Sequence, residues 1–218
     1  MYKLYYYPGN ANLAAHICLA AIGEPYELAY LDRDKGAHKS PEYLKINPTG
    51  RIPALVDGDA PIFESVACVQ YLAAKHPDAS LAPVPTDAAF PRYLSWLSFL
   101  NNTMQPTVLM FYYADRYAET ESGSQEVKRK ADLALRDEWD LVEAALGETP
   151  YFLGNEPTAL DYFLFMIARF SRRISYKPGA LPKTGALLRR LDEHPIVVKA
   201  CEAEGLERPY FDMPDVAA

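Results

Sequence analysis

The stretch Asn47-Pro48-Thr49-Gly50-Arg51-Ile52-Pro53-Ala54-Leu55-Val56-Asp57-Gly58-Asp59-Ala60-Pro61-Ile62-Phe63-Glu64-Ser65-Val66-Ala67 holds a loop, two strands and a helix start in 21 residues. Ile52 to Val56 is a short apolar run, read as a strand. Asp57-Gly58 is a turn signal, and Pro61-Ile62-Phe63 reads as the returning strand. From Glu64 the spacing changes: Val66, Val69, Tyr71 and Leu72 recur as on one face of a helix.

Upstream, the same alternation of strand and helix continues. Lys3 to Tyr7 is a β-rich run stopped by Pro8-Gly9. Leu13, Ile17, Ala20 and Ala21 lie at helical spacing and Gly23 closes that helix. Tyr26, Leu28 and Tyr30 alternate with Glu27 and Ala29 as in a strand. Ser40-Pro41 starts a helix, with Ser as N-cap and Pro in the first turn. The expected order is βαβαββα, assigned to a domain over residues 1–78.

Downstream, residues 79–87 form a proline-rich linker, and residues 88–218 read as an all-helical second domain. A long helix is expected from Phe90 to about Tyr117, with Trp96, Leu97, Leu100 and Met104 as its apolar stripe and a kink at Pro106. Gln125 to Leu146 is amphipathic, with Glu126/Lys130 and Asp132/Arg136 spaced for ion pairs. Thr158 to about Arg173 is apolar enough to be buried, and two shorter helices meet at His194-Pro195.

Composition narrows the function. The 218 residues carry 29 acidic and 22 basic side chains, a net charge of −7. Nucleic-acid binding needs a net basic face, so it is not expected. No apolar run reaches the roughly 18 residues of a membrane span. The first residues show no signal-peptide pattern, so a cytoplasmic protein is expected. Cys18, Cys68 and Cys201 are odd in number and far apart, which fits neither a disulfide framework nor a metal site.

The motifs, together with the βαβαββα-then-helical order, resemble the cytosolic glutathione S-transferase family. Its fold is a thioredoxin-like α/β domain followed by a helical bundle. In Arg51-Ile52-Pro53 the resemblance implies a cis Pro53, with Ile52 turning its N–H and C=O toward the cysteinyl backbone of glutathione, as in strand addition. In Glu64-Ser65 it implies that Ser65, at a helix N-terminus, takes the γ-glutamyl carboxylate while Glu64 pairs with the ammonium. Lys39 or Arg51 would hold the glycine carboxylate. Thr158 to Asp161 is similar to the family's capping box, a structural marker.

The loop Tyr5-Tyr6-Tyr7-Pro8-Gly9-Asn10-Ala11-Asn12 resembles that of bacterial beta-class members. Ala11 stands where that class has a catalytic cysteine, and after Trp96-Leu97-Ser98-Phe99 its histidine is replaced by Gln105. An Asn amide can still donate to sulfur. Asn10 or Asn12 is expected to contact the thiol, with Tyr6 third. Met110, Tyr113 and Tyr117 are expected to wall the pocket for a small hydrophobic electrophile.

The resemblance thus implies a glutathione transferase, with glutathione as co-substrate, no metal, and a homodimeric assembly. Ether cleavage, dehalogenation, isomerisation, disulfide or peroxide reduction, and non-catalytic glutathione or ligand binding are the alternatives.

Overall fold

The computed structural model describes residues 1–212. The first half folds as β1 (Tyr2–Tyr6), α1 (Leu13–Ile22), β2 (Tyr26–Tyr30), α2 (Pro41–Leu44), β3 (Ala54–Asp57), β4 (Ala60–Phe63) and α3 (Ser65–Lys75). The sheet order is β2-β1-β3-β4. β1 runs parallel to β2 and antiparallel to β3, with Leu4 opposite both Leu28 and Leu55. The β3–β4 hairpin turns at Gly58, whose φ of +59° suits a residue without a side chain. Ser40 caps α2 as its sequence signalled, its hydroxyl accepting the Tyr43 N–H at 3.2 Å.

The second half is helical: α4 (Phe90–Phe99), α5 (Gln105–Tyr112), α6 (Glu121–Ala145), α7 (Ala159–Phe170), α8 (Pro182–Glu193) and α9 (Pro195–Ala203). The single long helix expected over 90–117 is instead α4 and α5 joined by a π-helical turn, Leu100–Met104, and it ends at Tyr112. Pro106 explains the irregular turn. It has no N–H for the carbonyl four residues back, so the preceding turn widens. Thr107 Oγ1 lies 2.9 Å from the Thr103 carbonyl, a side-chain substitute inside the helix.

Helix α6 starts four residues earlier than its periodicity suggested, because Thr120 caps it by accepting the Gly123 N–H. The Glu126–Lys130 pair forms at 3.5 Å, whereas Asp132 turns to the Ser175 N–H and hydroxyl. At the start of α7, the buried Asp161 accepts the Thr158 N–H and the Phe152 N–H, each at 2.8 Å.

Helix α1 lies between the two halves. It packs on α3 of the first and on α7 and α9 of the second. Every residue from Leu13 to Ala20 is buried, which is why its sequence is apolar all round. The β1–α1 loop therefore emerges at the junction of the halves, where a ligand between them can be reached. No helix of the described residues is long and apolar enough to cross a membrane.

Candidate active site

Between the halves is a cavity of about 420 Å³. Three segments of the first half build its floor, and each is fixed by a different device.

The first is the β1–α1 loop. Glu204, directly after α9, is only 4% exposed and clamps this loop from the other half. Its Oε2 accepts the Gly9 N–H at 2.8 Å, and its Oε1 lies 2.8 Å from both Asn12 Nδ2 and His16 Nδ1. The far nitrogen of His16 meets the Tyr26 hydroxyl at 3.1 Å. Asn12 also accepts the Tyr7 N–H through Oδ1 at 3.2 Å. Both its amide nitrogen and its amide oxygen are thus engaged inside the protein.

Asn10 differs. Its Oδ1 accepts the next N–H, that of Ala11, at 2.7 Å. This bond orients the amide and leaves Nδ2 without a protein partner among the described residues, on the wall of the cavity.

The second segment is the loop into β3. The Ile52–Pro53 bond is cis. Asn47, almost wholly buried, pins this loop through Nδ2 to the Arg51 carbonyl (2.7 Å) and the Pro53 carbonyl (3.3 Å). The Tyr43 hydroxyl donates to the same Arg51 carbonyl at 2.6 Å. β3 begins only at Ala54, so Ile52 stands outside the ladder, its N–H and C=O unpaired among the described residues.

The third is the β4–α3 junction. Glu64 takes φ +72°, a left-handed value costly for a residue with a side chain. The chain turns there so that Ser65 opens α3 at the cavity wall. The first N–H groups of a helix have no partner within it and carry a partial positive charge.

The roof comes from the second half. Gln105, Leu109 and Tyr113, four residues apart, line the cavity from the α5 side, followed by Arg116 and Tyr117. Gln105 Oε1 is buried without a partner.

Of the residues singled out from sequence, Asn10, Lys39, Arg51, Ile52, Pro53, Glu64, Ser65, Tyr113 and Tyr117 come together at this cavity. Three do not. Asn12 is buried beneath the loop; it precedes α1, yet its side chain serves Glu204 rather than capping the helix. Tyr6 packs edge-on against Tyr30, and burial together with the Glu204 charge raises its pKa, favouring the protonated phenol. Met110 lies about 100° around α5 from Leu109 and packs against the core. Sequence reasoning missed Asn47, Tyr43, Glu204, Arg33 and Arg116. Only Asn47 had a local signal, an Asx turn with Thr49, whose N–H and hydroxyl meet Asn47 Oδ1 at 3.1 and 2.7 Å.

The cavity is basic although the chain is acidic. Arg33, Lys39, Arg51 and Arg116 line it, against one carboxylate, Glu64. Burial and the neighbouring Lys39 and Arg33 lower the pKa of His38, which favours its neutral form. Lys39 Nζ reaches the Thr49 carbonyl at 3.3 Å, close over Gly50. The three cysteines are all buried away from this site, and desolvation pushes the Cys68 and Cys201 thiols up to about 12. The arrangement can therefore receive a zwitterionic, carboxylate-bearing ligand, but it presents no reactive thiol of its own. Among the described residues no group of three His, Cys, Asp or Glu side chains is disposed to hold a metal ion.

Comparison with known proteins agrees with this geometry. The family model "Glutathione S-transferase, N-terminal domain" matches residues 1–74, and "Glutathione S-transferase, C-terminal domain" matches residues 125–197. The chain is 29% identical over 208 residues to Glutathione S-transferase GstA of Escherichia coli O157:H7, covering 94% of this chain and 100% of the relative. It is 30% identical to Glutathione S-transferase 3 of Zea mays over 182 residues, 82% of each chain. A glutathione transferase homologue from Sulfitobacter, solved with bound glutathione, superposes with a TM-score of 0.85 at 27% identity, over 95% of this chain and 99% of that one. With its cis-proline loop and its Glu64-Ser65 helix start on one cavity, this chain belongs to the glutathione S-transferase family.

Proposed function

We propose that the cavity binds glutathione and activates its thiol for attack on an electrophile held under α5. The observation that carries this reading is the open backbone of Ile52 beside the free N-terminus of α3. Ile52 offers an N–H and a C=O to the cysteinyl unit, so the peptide adds to the sheet as a short strand. Ser65 and the first turn of α3 receive the γ-glutamyl carboxylate, and Glu64 receives the ammonium. Lys39 or Arg51 takes the glycine carboxylate at the other end. The Sulfitobacter homologue, solved with bound glutathione, supports glutathione as the ligand.

The thiolate is the nucleophile, so the site must favour it over the thiol. Asn10 Nδ2 is the donor we assign to the sulfur, since its Oδ1 is already held by Ala11. A hydrogen bond to the charged form lowers the pKa of the bound thiol. The thiolate then forms a sulfur–carbon bond, and the displaced group leaves with its electron pair. Leu109, Tyr113 and Tyr117 provide apolar surface for the second substrate.

A cytoplasmic homodimer is part of this reading. The edge strand β4 exposes Phe63 and α4 exposes Leu94, apolar surface that a two-fold interface would cover. Titration of the bound thiol through its ultraviolet thiolate band tests the chemistry. The expected result is a pKa below the roughly 8.5 of a free thiol in wild type and a return toward it in Asn10→Ala.

A further inference from the structure

The half of the cavity left for the second substrate is not a plain hydrophobic pocket. The Arg33 guanidinium donates to the Tyr113 hydroxyl, and its central carbon stands 5.8 Å from the Tyr113 ring centroid. The Arg116 guanidinium lies 4.0 Å from the same centroid. Arg33 comes from the loop after β2 and Arg116 from the turn after α5, so the two cations converge from opposite walls.

Two guanidiniums at one ring repel each other, and a surface cation–π contact returns little to offset that. Asp32 pairs with Lys35 at 2.8 Å, and Asp34 accepts the Tyr7 hydroxyl at 2.8 Å. Neither Arg33 nor Arg116 forms an ion pair with a carboxylate among the described residues. Glutathione does not use them in the placement above, where Lys39 or Arg51, with Ser65, meets its two carboxylates.

We infer that the second substrate is an anion: a planar, unsaturated or aromatic electrophile bearing a carboxylate or sulfonate, gripped by Arg33 and Arg116 across Tyr113. The planar part lies against Leu109 and Tyr117, and the acidic group meets the guanidinium pair. Guanidinium forks match carboxylate geometry. In a substitution on a chloroarene of this kind, the sulfur–carbon bond forms and the carbon–chlorine bond breaks. Chloride leaves with the bonding pair, and the thiol proton passes to solvent when the thiolate forms.

This inference rests on the glutathione reading, and a binding experiment separates the two. The protein is first titrated with S-methylglutathione by calorimetry. The saturated complex is then titrated with 3,5-dinitrobenzoate and with neutral 3,5-dinitrobenzamide. The benzoate is expected to bind at least about tenfold more tightly, the equivalent of one charge-assisted contact. In the double variant Arg33→Gln/Arg116→Gln, saturated with S-methylglutathione in the same way, that preference disappears. Equal affinity for benzoate and benzamide in wild type, or a preference that survives in the double variant, overturns the inference and leaves the glutathione reading intact. If S-methylglutathione does not bind, the glutathione reading fails. The same pair of ligands titrated without it then decides the inference: a benzoate preference abolished by the double variant supports it, and any other result overturns it.

Discussion

Glu204→Ala removes the acceptor that ties the β1–α1 loop to the far end of the helical half. Three donors lose their partner: the Gly9 N–H, Asn12 Nδ2 and His16 Nδ1. Both Asn12 and His16 are fully buried, so water does not replace the carboxylate at no cost. Buried donors left unsatisfied cost about 1–3 kcal/mol each. Taking the lower part of that range for three coupled groups gives a loss of about 3–5 kcal/mol. For a chain of this size each kcal/mol moves the melting temperature by about 2–4 °C, so a fall of about 10 °C is expected. The assay is thermal unfolding by far-ultraviolet circular dichroism at fixed protein concentration, since both tryptophans, Trp96 and Trp139, lie in the helical half and report unevenly. Glutathione affinity should fall as well, because Gly9 and Asn10 share the released loop. A variant within about 1 kcal/mol of wild type, with unchanged glutathione binding, would refute the idea that Glu204 holds the site together.

Asn10→Ala and Asn12→Ala should separate cleanly. Loss of one donor to a thiolate corresponds to about 1.5–3 kcal/mol, so Asn10→Ala lowers kcat/KM by about 10–100-fold with little change in melting temperature, whereas Asn12→Ala lowers the melting temperature; steady-state kinetics and thermal melts read both. Ser65→Ala removes one hydroxyl from the carboxylate site and should weaken glutathione binding by about tenfold, one charge-assisted contact, measured by calorimetry, with kcat nearly kept. Glu138 supplies a pH prediction: burial raises its pKa, its Oε2 has no partner, and its Oε1 lies 2.8 Å from Thr107 Oγ1. A carboxylic acid whose folded pKa exceeds its unfolded one contributes a penalty that is absent below the unfolded value, grows as pH rises from the unfolded toward the folded pKa, and is complete above it. Glu138→Gln should therefore stabilise the protein by about 1 kcal/mol at neutral pH, the lower end of the cost of an unpaired buried polar group, and give no gain in acid below the unfolded carboxyl pKa, as denaturation at both pH values will report.

Sequence carried much of the fold because its signals were local. The Asp57-Gly58 hairpin, the Ser40 cap and the spacing of α1 and α3 each depend on residues within a few positions. The two motifs at Ile52-Pro53 and Glu64-Ser65 were legible for the same reason: the backbone feature lies in the motif itself. The choice between Asn10 and Asn12 as the proposed donor to the sulfur was not. Asn10 and Asn12 sit two residues apart with the same chemistry, and what distinguishes them is Glu204, 192 residues beyond Asn12. That Met110 packs against the core while Tyr113 lines the cavity is not legible either, because a run of apolar and aromatic residues does not reveal its phase. That phase is set by the π-helical turn before Pro106. Arg33 lies in a loop and Arg116 in a single 3-10 turn, neither with a periodicity to read, and only the folded chain brings them to one tyrosine.

The central claim is that this protein binds glutathione and holds it as a thiolate. Ultraviolet difference spectra of the glutathione complex across pH test it most directly. The thiolate band should titrate well below the roughly 8.5 of a free thiol and shift back in Asn10→Ala. A bound thiol that titrates as it does in solution, or no bound glutathione at all, would contradict it.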